Sequence, residues 1–364
     1  MDSKTYTYSA LAKKHDNFTA PGFEISVGGK KLSEGKFTIP RLEVEMSATG
    51  TAGGCSFTVE GQYDFKNRKW TNDAADLIKP GAKLVVEGGY VKHQEMFYGY
   101  VDDITLAFRP DGAPIISVNG LDGLGYLMNM CEPFHAGEKK PKQIVQSVLQ
   151  KSQSAGFAKK IKVGSLSGFE TPIVKEGIDD WKFLCMMAER YGASILAIDG
   201  EMIFDTLMTK TAPILTLTMG QNIRKFTRRV SFAHQVGKVE ILGRDINEQP
   251  IKGEAMSVTV GGKGKIAADW ISGLKKSVKV ERDEFVRTEQ ECKKLAQNRF
   301  NSMCMGFVSG EGECIGIPEL IPGRYLKVDG GDDMTNGTYF LTKVVHHFRM
   351  DKFTTSFEYK GAKA

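Results

Sequence analysis

Apolar and polar positions alternate strictly early in the chain. Cys55, Phe57 and Val59 are interleaved with Ser56, Thr58 and Glu60, the period of a half-buried strand. Residues 84–86 and 96–108 continue that pattern, interrupted by Gly88-Gly89 and by Arg109-Pro110-Asp111-Gly112. No helical period is visible before residue 120, so residues 1–118 are expected to form a first β-domain. The period then changes. Pro141 stands where a helix can begin, Ile144, Val145, Val148 and Leu149 share one face, and Gly156 closes the run. A second helix is expected from a cap at Asp179 or Asp180, with Trp181, Leu184, Cys185, Ala188 and Tyr191 at helical spacing and Gly192 as the left-handed stop. Strand 194–198, the turn Asp199-Gly200 and the returning strand 202–204 complete a helix-hairpin α/β unit over 119–206. The β pattern returns over 207–250 and 305–364, where Phe353, Thr355, Phe357 and Tyr359 lie on one face. Between them, residues 251–304 predict a glycine- and lysine-rich mobile loop and a charged helix over roughly 287–303, its start favoured by Thr288, Glu289 and Glu291.

An internal repeat links the two β regions. The stretch Pro80-Gly81-Ala82-Lys83-Leu84-Val85-Val86-Glu87-Gly88-Gly89 recurs without gaps as Pro322-Gly323-Arg324-Tyr325-Leu326-Lys327-Val328-Asp329-Gly330-Gly331. The same register sets Phe97-Tyr98 against Tyr339-Phe340. Two unrelated hairpins can converge on one turn chemistry; the alternative is a duplicated β-domain. Placement favours duplication, since the copies flank the helical middle. Three chains with two like domains each would present six equivalent positions around an axis.

Composition narrows the class. At 364 residues, 41% hydrophobic and 26% charged, the chain can bury a large core and is neither disordered nor a membrane bundle. Glycine, with 40 residues, exceeds the average of about 7% and fits many tight turns. A net charge of +5 is too mild for a dedicated nucleic-acid binder. Six cysteines without a CxxC pair predict reduced, mostly buried thiols in a protein folded in a reducing cytoplasm. Residues 1–14 lack the apolar core of a signal peptide, and no run of about 18 apolar residues would span a bilayer.

No catalytic, cofactor or metal residues are expected. His346-His347 lies in a strand-like run where neighbours face opposite ways. Gly261-Gly262-Lys263-Gly264-Lys265 lacks phosphate-loop spacing, with Ile266 in place of the hydroxyl. The run Gly310-Glu311-Gly312-Glu313 puts acids where a pyrophosphate would sit. Asp102 and Asp103 adjoin on a strand and point apart, as surface or turn residues do. One cluster remains, Arg224, Lys225, Arg228 and Arg229: either a solvated face or a basic patch lining a channel or meeting an acidic partner.

Three segments together carry a family likeness. The first is 55–61 with Pro80-Gly81, Gly88-Gly89-Tyr90 and residues 97–104. The second is Asp180-Trp181-Lys182-Phe183-Leu184 through Ala188-Glu189-Arg190-Tyr191-Gly192 to Asp199-Gly200. The third is 316–323 followed by Gly337-Thr338-Tyr339 and Val344-Val345-His346. In this order they resemble the baseplate hubs of contractile injection systems, the late control protein D and VgrG N-terminal family, over roughly residues 40–360. The resemblance implies an α+β, mainly antiparallel β fold, with two similar tube-forming β-barrel-like domains flanking a smaller α/β domain. The repeat residues Pro80, Gly81, Gly88, Gly89, Pro322, Gly323, Gly330 and Gly331 would shape the tube domains. It further implies a non-enzymatic homotrimer made in the bacterial cytoplasm and built into a phage tail or injection particle. Its partners would be a hexameric tail tube protein, a trimeric spike and other baseplate proteins, with tape measure or cargo in the lumen and no membrane insertion. The sequence stops at Ala364 without an oligosaccharide-binding-fold domain, so the spike is expected to be a separate protein. The rival expectation is a tail-associated peptidoglycan hydrolase or a glycan-binding effector.

Overall fold

A computed structural model describes residues 4–35, 37–60, 63–70, 74–108, 114–132, 134–135, 140–169, 174–175 and 177–364. The chain begins with a short helix, α1 (Tyr8–Lys14), whose Thr7 hydroxyl accepts the Ala10 N–H. Seven residues are too few to show a helical period, which is why the sequence pattern predicts none this early. The first β region supplies β1 (Gly22–Val27), β2 (Arg41–Ser47), β3 (Gly54–Glu60), β4 (Lys83–Gly89), β5 (His93–Ala107) and β6 (Ile115–Asp122).

The middle of the chain follows its helical pattern closely. Helix α2 (Pro141–Ser154) buries Ile144, Val145, Val148 and Leu149. Helix α3 (Asp180–Tyr191) ends on Gly192 at φ 62°, and buries Trp181, Phe183, Leu184, Met187, Ala188 and Tyr191. A three-stranded sheet joins β7 (Lys160–Val163), β8 (Ser194–Ile198) and β9 (Glu201–Asp205). Both turn residues between β8 and β9, Asp199 and Gly200, have positive φ, as a two-residue hairpin turn requires.

The carboxylates at the start of α3 divide their work. Asp179 is the cap, its side chain accepting the Lys182 N–H at 2.7 Å. Asp180 is instead buried and held by Lys175 Nζ at 2.6 Å and Lys151 Nζ at 2.8 Å. Lys175 is equally buried, and its ammonium also donates to the Glu132 carbonyl at 2.8 Å. The two lysines tie the start of α3 to α2 and to the segment 174–175 that precedes it.

The second β region supplies β10 (Pro213–Thr218), β11 (Ile223–Val230), β12 (Lys238–Arg244), β13 (Pro250–Ala255), β14 (Val278–Arg282), helix α4 (Glu289–Cys304), β15 (Val308–Ile315), β16 (Tyr325–Asp329), β17 (Gly337–Arg349) and β18 (Lys352–Gly361). Thr288 caps α4 by accepting the Glu291 N–H. Strand β12 lies within the range expected for the second β-domain, yet it pairs with β13 and β14 in a separate sheet that packs on α4. Cys55, Cys292, Cys304 and Cys314 are buried thiols, Cys185 is half-buried and Cys131 is exposed.

Strands from both ends of the chain share one large, mainly antiparallel sheet. Its central path is β11-β15-β18-β17-β2-β3-β6-β5, an eight-stranded ribbon running from the second β region into the first. Among the described residues no sheet closes into a barrel; the path stays open because β17 continues directly into β2 of the other half. Its apolar side buries Leu42, Val44, Phe57, Val118, Val344, Phe348 and Phe357. His346 is buried there too, its Nδ1 2.9 Å from the Thr355 hydroxyl.

Burial, with a smaller contribution from neighbouring His347, lowers the His346 pKa to about 3. In the unfolded chain this imidazole takes a proton near pH 6.5, so the unfolded state binds more protons between about 6.5 and 3. Stability contributed by the neutral ring is therefore complete above that window and is lost as pH falls through it. A melting series from pH 7 to 4 is expected to show a shallower acid slope for His346→Gln than for the parent. At the start of α3, Asp179→Ala is expected to cost about 1 kcal/mol, as a lost cap does. Asp180→Ala should cost about 3–5 kcal/mol because it strands a buried ammonium; denaturant unfolding of the two variants separates the roles.

Candidate assembly surface

The repeat extends beyond the hairpin to a whole unit. In the first half the hydrogen-bonded order is β1-β4-β5-β6-β3-β2; in the second it is β10-β16-β17-β18-β15-β11. Each strand has its counterpart at the same place. The Pro-Gly turns set the alignment: Gly81 N–H donates to the Val101 carbonyl and Val101 N–H to the Ala82 carbonyl, both at 2.8 Å. Gly323, Leu341 and Arg324 make the same pair of bonds at the same length. Gly81 and Gly323 have φ of 78° and 77°. Directly after each joint the ladder slips, between Val101 and Asp103 in β5 and between Leu341 and Lys343 in β17. Asp102 and Thr342 are thus equivalent bulge residues.

Anchored there, the second copy has two residues fewer between its Pro-Gly turn and its bulge. The ungapped alignment of Phe97-Tyr98 with Tyr339-Phe340 therefore gives way to one placing Tyr339 at Gly99 and Phe340 at Tyr100. The double glycines also differ: positive φ falls on Gly89 in the first copy and on Gly330 in the second. Gly88 lies under Phe348 of the other half, where a Cβ would come within 2.8 Å of the ring. The outermost pairings diverge as well, β1 meeting β4 antiparallel and β10 meeting β16 parallel.

Small packing exchanges keep the two units alike. Tyr359 faces Gly310 across β18 and β15, and its hydroxyl reaches the Thr227 carbonyl at 2.9 Å. A Cβ on Gly310 would lie 2.0 Å from that carbonyl oxygen. The matching positions of the first half hold Cys55 opposite Gly120. The glycine has changed strands, and the space is filled from the other side.

Opposite its apolar side the ribbon presents a polar face, with Asp103, Glu43, Glu45, Lys343, Glu358 and Lys225 among its side chains, half-buried or exposed. The joint between halves is paired over seven positions, from Lys343 with Ser47 to Arg349 with Arg41. Lys343 bonds Glu45 at 2.9 Å, while His347 and Arg349 each approach Glu43 at 3.5 Å. The basic cluster sits on β11, the last strand of the ribbon, and its four members do not act as one patch. Lys225 and Arg229 belong to the polar face, and Lys225 bonds Glu311 at 2.6 Å. Arg228 lies on the opposite side, beside the Tyr339 hydroxyl, and exposed Arg224 sits at a ladder irregularity between Ile223 and Lys225.

A cavity of about 640 Å³ lies between α1, the β8–β9 turn and residues 318–324. Several of its charges are paired: Lys159 with Glu95, and Glu319 with Lys14 at 2.5 Å and with buried His15 at 2.9 Å. No group of three metal-binding side chains occurs among the described residues.

This arrangement is the fold of phage tail proteins. The structure resembles the tail protein from Neisseria meningitidis MC58 (TM-score 0.66, 14% identity, 94% of this chain and 96% of that one). It also resembles the 43 kDa tail protein of prophage MuSo2 from Shewanella oneidensis (0.68, 16%, 94% and 99%). A third similar structure is the E. coli c3393 protein, described as a component of the type VI secretion system (0.52, 11%, 93% and 76%). In sequence, the Alg8 N-terminal domain model matches residues 18–349, and the chain belongs to that family. No curated protein matches it.

Because the Pro-Gly joint is built twice with the same geometry, Gly81→Ala and Gly323→Ala are expected to cost similar amounts, about 1–2 kcal/mol each, from forcing a side chain into the left-handed region. A Cβ on Gly81 meets open space, so backbone strain alone acts there. Chemical denaturation of both variants checks the equivalence.

Proposed function

We propose that this chain is the structural, non-enzymatic hub of a contractile tail or phage-tail-like injection particle. In this reading it is a homotrimer whose two copies of one β unit per chain form a ring with sixfold character. The observation that carries it is the duplicated six-strand order, joined within the chain by the β17–β2 ladder. Such a ring would seat the hexameric tail tube on one side and a separate trimeric spike on the other, within a baseplate of further proteins. The tail-protein fold supports this reading, as does the sequence resemblance to late control protein D and VgrG-type hubs. A Francisella PdpA-VgrG complex is among the similar structures.

The polar face of the ribbon would line the lumen, with Lys225 and Arg229 turned toward tape measure or cargo. The chain would be made in the bacterial cytoplasm and carried in the assembled particle. Among the described residues no helix is long and apolar enough to cross a membrane. Obligate assemblies of this kind bury about 2,000 Å² or more per interface. Light scattering on the purified protein at micromolar concentration is expected to give three times the 40.2 kDa chain mass, and negative-stain images a ring of six-lobed outline. A strictly monomeric species would overturn the reading.

A further inference from the structure

The ribbon ends in two open edges, and they are counterparts of the two strands that meet inside the chain. Strand β5 corresponds to β17 and β11 to β2. Beyond Val101, β5 pairs only with β6, and β11 pairs with β15 alone among the described strands. In the other copy of the unit these same edges are spent on each other, β17 against β2.

Burial registers the difference position by position. Inside the chain Phe348, His346 and Met46 are 1%, 0% and 4% exposed. Their counterparts Phe108, Leu106 and Val230 are 52%, 54% and 37% exposed. Beside Phe108, exposed Phe65 and half-buried Tyr63 extend the aromatic surface. Open edges carrying apolar side chains invite another strand.

We infer that copies of this chain join head to tail, β5 of one copy adding antiparallel to β11 of the next in the register that β17 and β2 use internally. This rests on the hub reading for closure at three copies. Carried across, that register sets Ile104 opposite Val230, Leu106 opposite Arg228 and Phe108 opposite Phe226. It also converts the internal Lys343–Glu45 bridge into Asp103–Arg229.

The sign of the charges is inverted between the two joints. Inside the chain the bases stand on β17 and the acids on β2; at the open edges the acids Asp102 and Asp103 stand on β5 and the bases Arg228 and Arg229 on β11. A twofold dimer through two β11 edges would oppose arginines, and one through two β5 edges would oppose aspartates. Both symmetric pairings are penalised, and the head-to-tail one is favoured. Among the described residues, Asp103 is held by Asn119 at 3.2 Å and Thr105 at 3.5 Å.

The test uses the full chain. Asp103→Arg and Arg229→Asp are each expected to raise the dissociation constant of the oligomer at least tenfold at physiological salt, with unchanged circular dichroism, and the double exchange to restore association. Independently, Ile104→Cys with Val230→Cys should give chain-to-chain disulfides under mild oxidation, forming a ladder that ends at three; Ile104→Cys with Arg224→Cys should not. A stable trimer indifferent to both charge reversals and lacking the cross-link would overturn the edge pairing while leaving the hub reading in place. A parent chain that stays monomeric and does not cross-link would sink both.

Discussion

Backbone groups at a strand edge need partners, and in this chain one ladder, β17 against β2, meets that need for both halves at once. Seven registered positions and an ion pair at 2.9 Å turn two β units into a single ribbon. The apolar side of that ribbon becomes one wall of the core. Phe348 and Phe353 of the second half stack at 4.0 Å and meet Phe23 and Tyr90 of the first. Within the α/β unit, the buried Asp180 carboxylate and its two lysines tie α2 to α3.

What the sequence made legible was what local periodicity encodes. Helices α2 and α3, the Asp199-Gly200 hairpin and the Pro-Gly repeat all depend on neighbours within a few residues. The ladder between β2 and β17 joins opposite ends of the chain, and a period-two pattern does not say which strand its owner will meet. The repeat's register was hidden for a related reason. A difference of two residues in hairpin length leaves every side chain on its original face, so the ungapped match looks sound until the paired hydrogen bonds of Val101 and Leu341 are compared. Asp179 and Asp180 are alike as candidate caps; burial tells them apart.

The basic cluster shows the limit of counting charges along a line. Four cations within six residues suggest one patch, but a strand deals alternate residues to alternate faces. Lys225 already has Glu311, and Arg228 lies beside an aromatic hydroxyl. Their value as a group comes from the edge they occupy rather than from their number.

The two units match where their strands share the ribbon and part company at their outermost strands, β1 running against β4 and β10 running with β16. A closed assembly of three such chains would therefore change its periodicity radially. Its bore would repeat every half chain and its rim every whole chain. A body threading the bore and one gripping the rim would each meet its own symmetry at the same height, with the mismatch absorbed across the thickness of the wall.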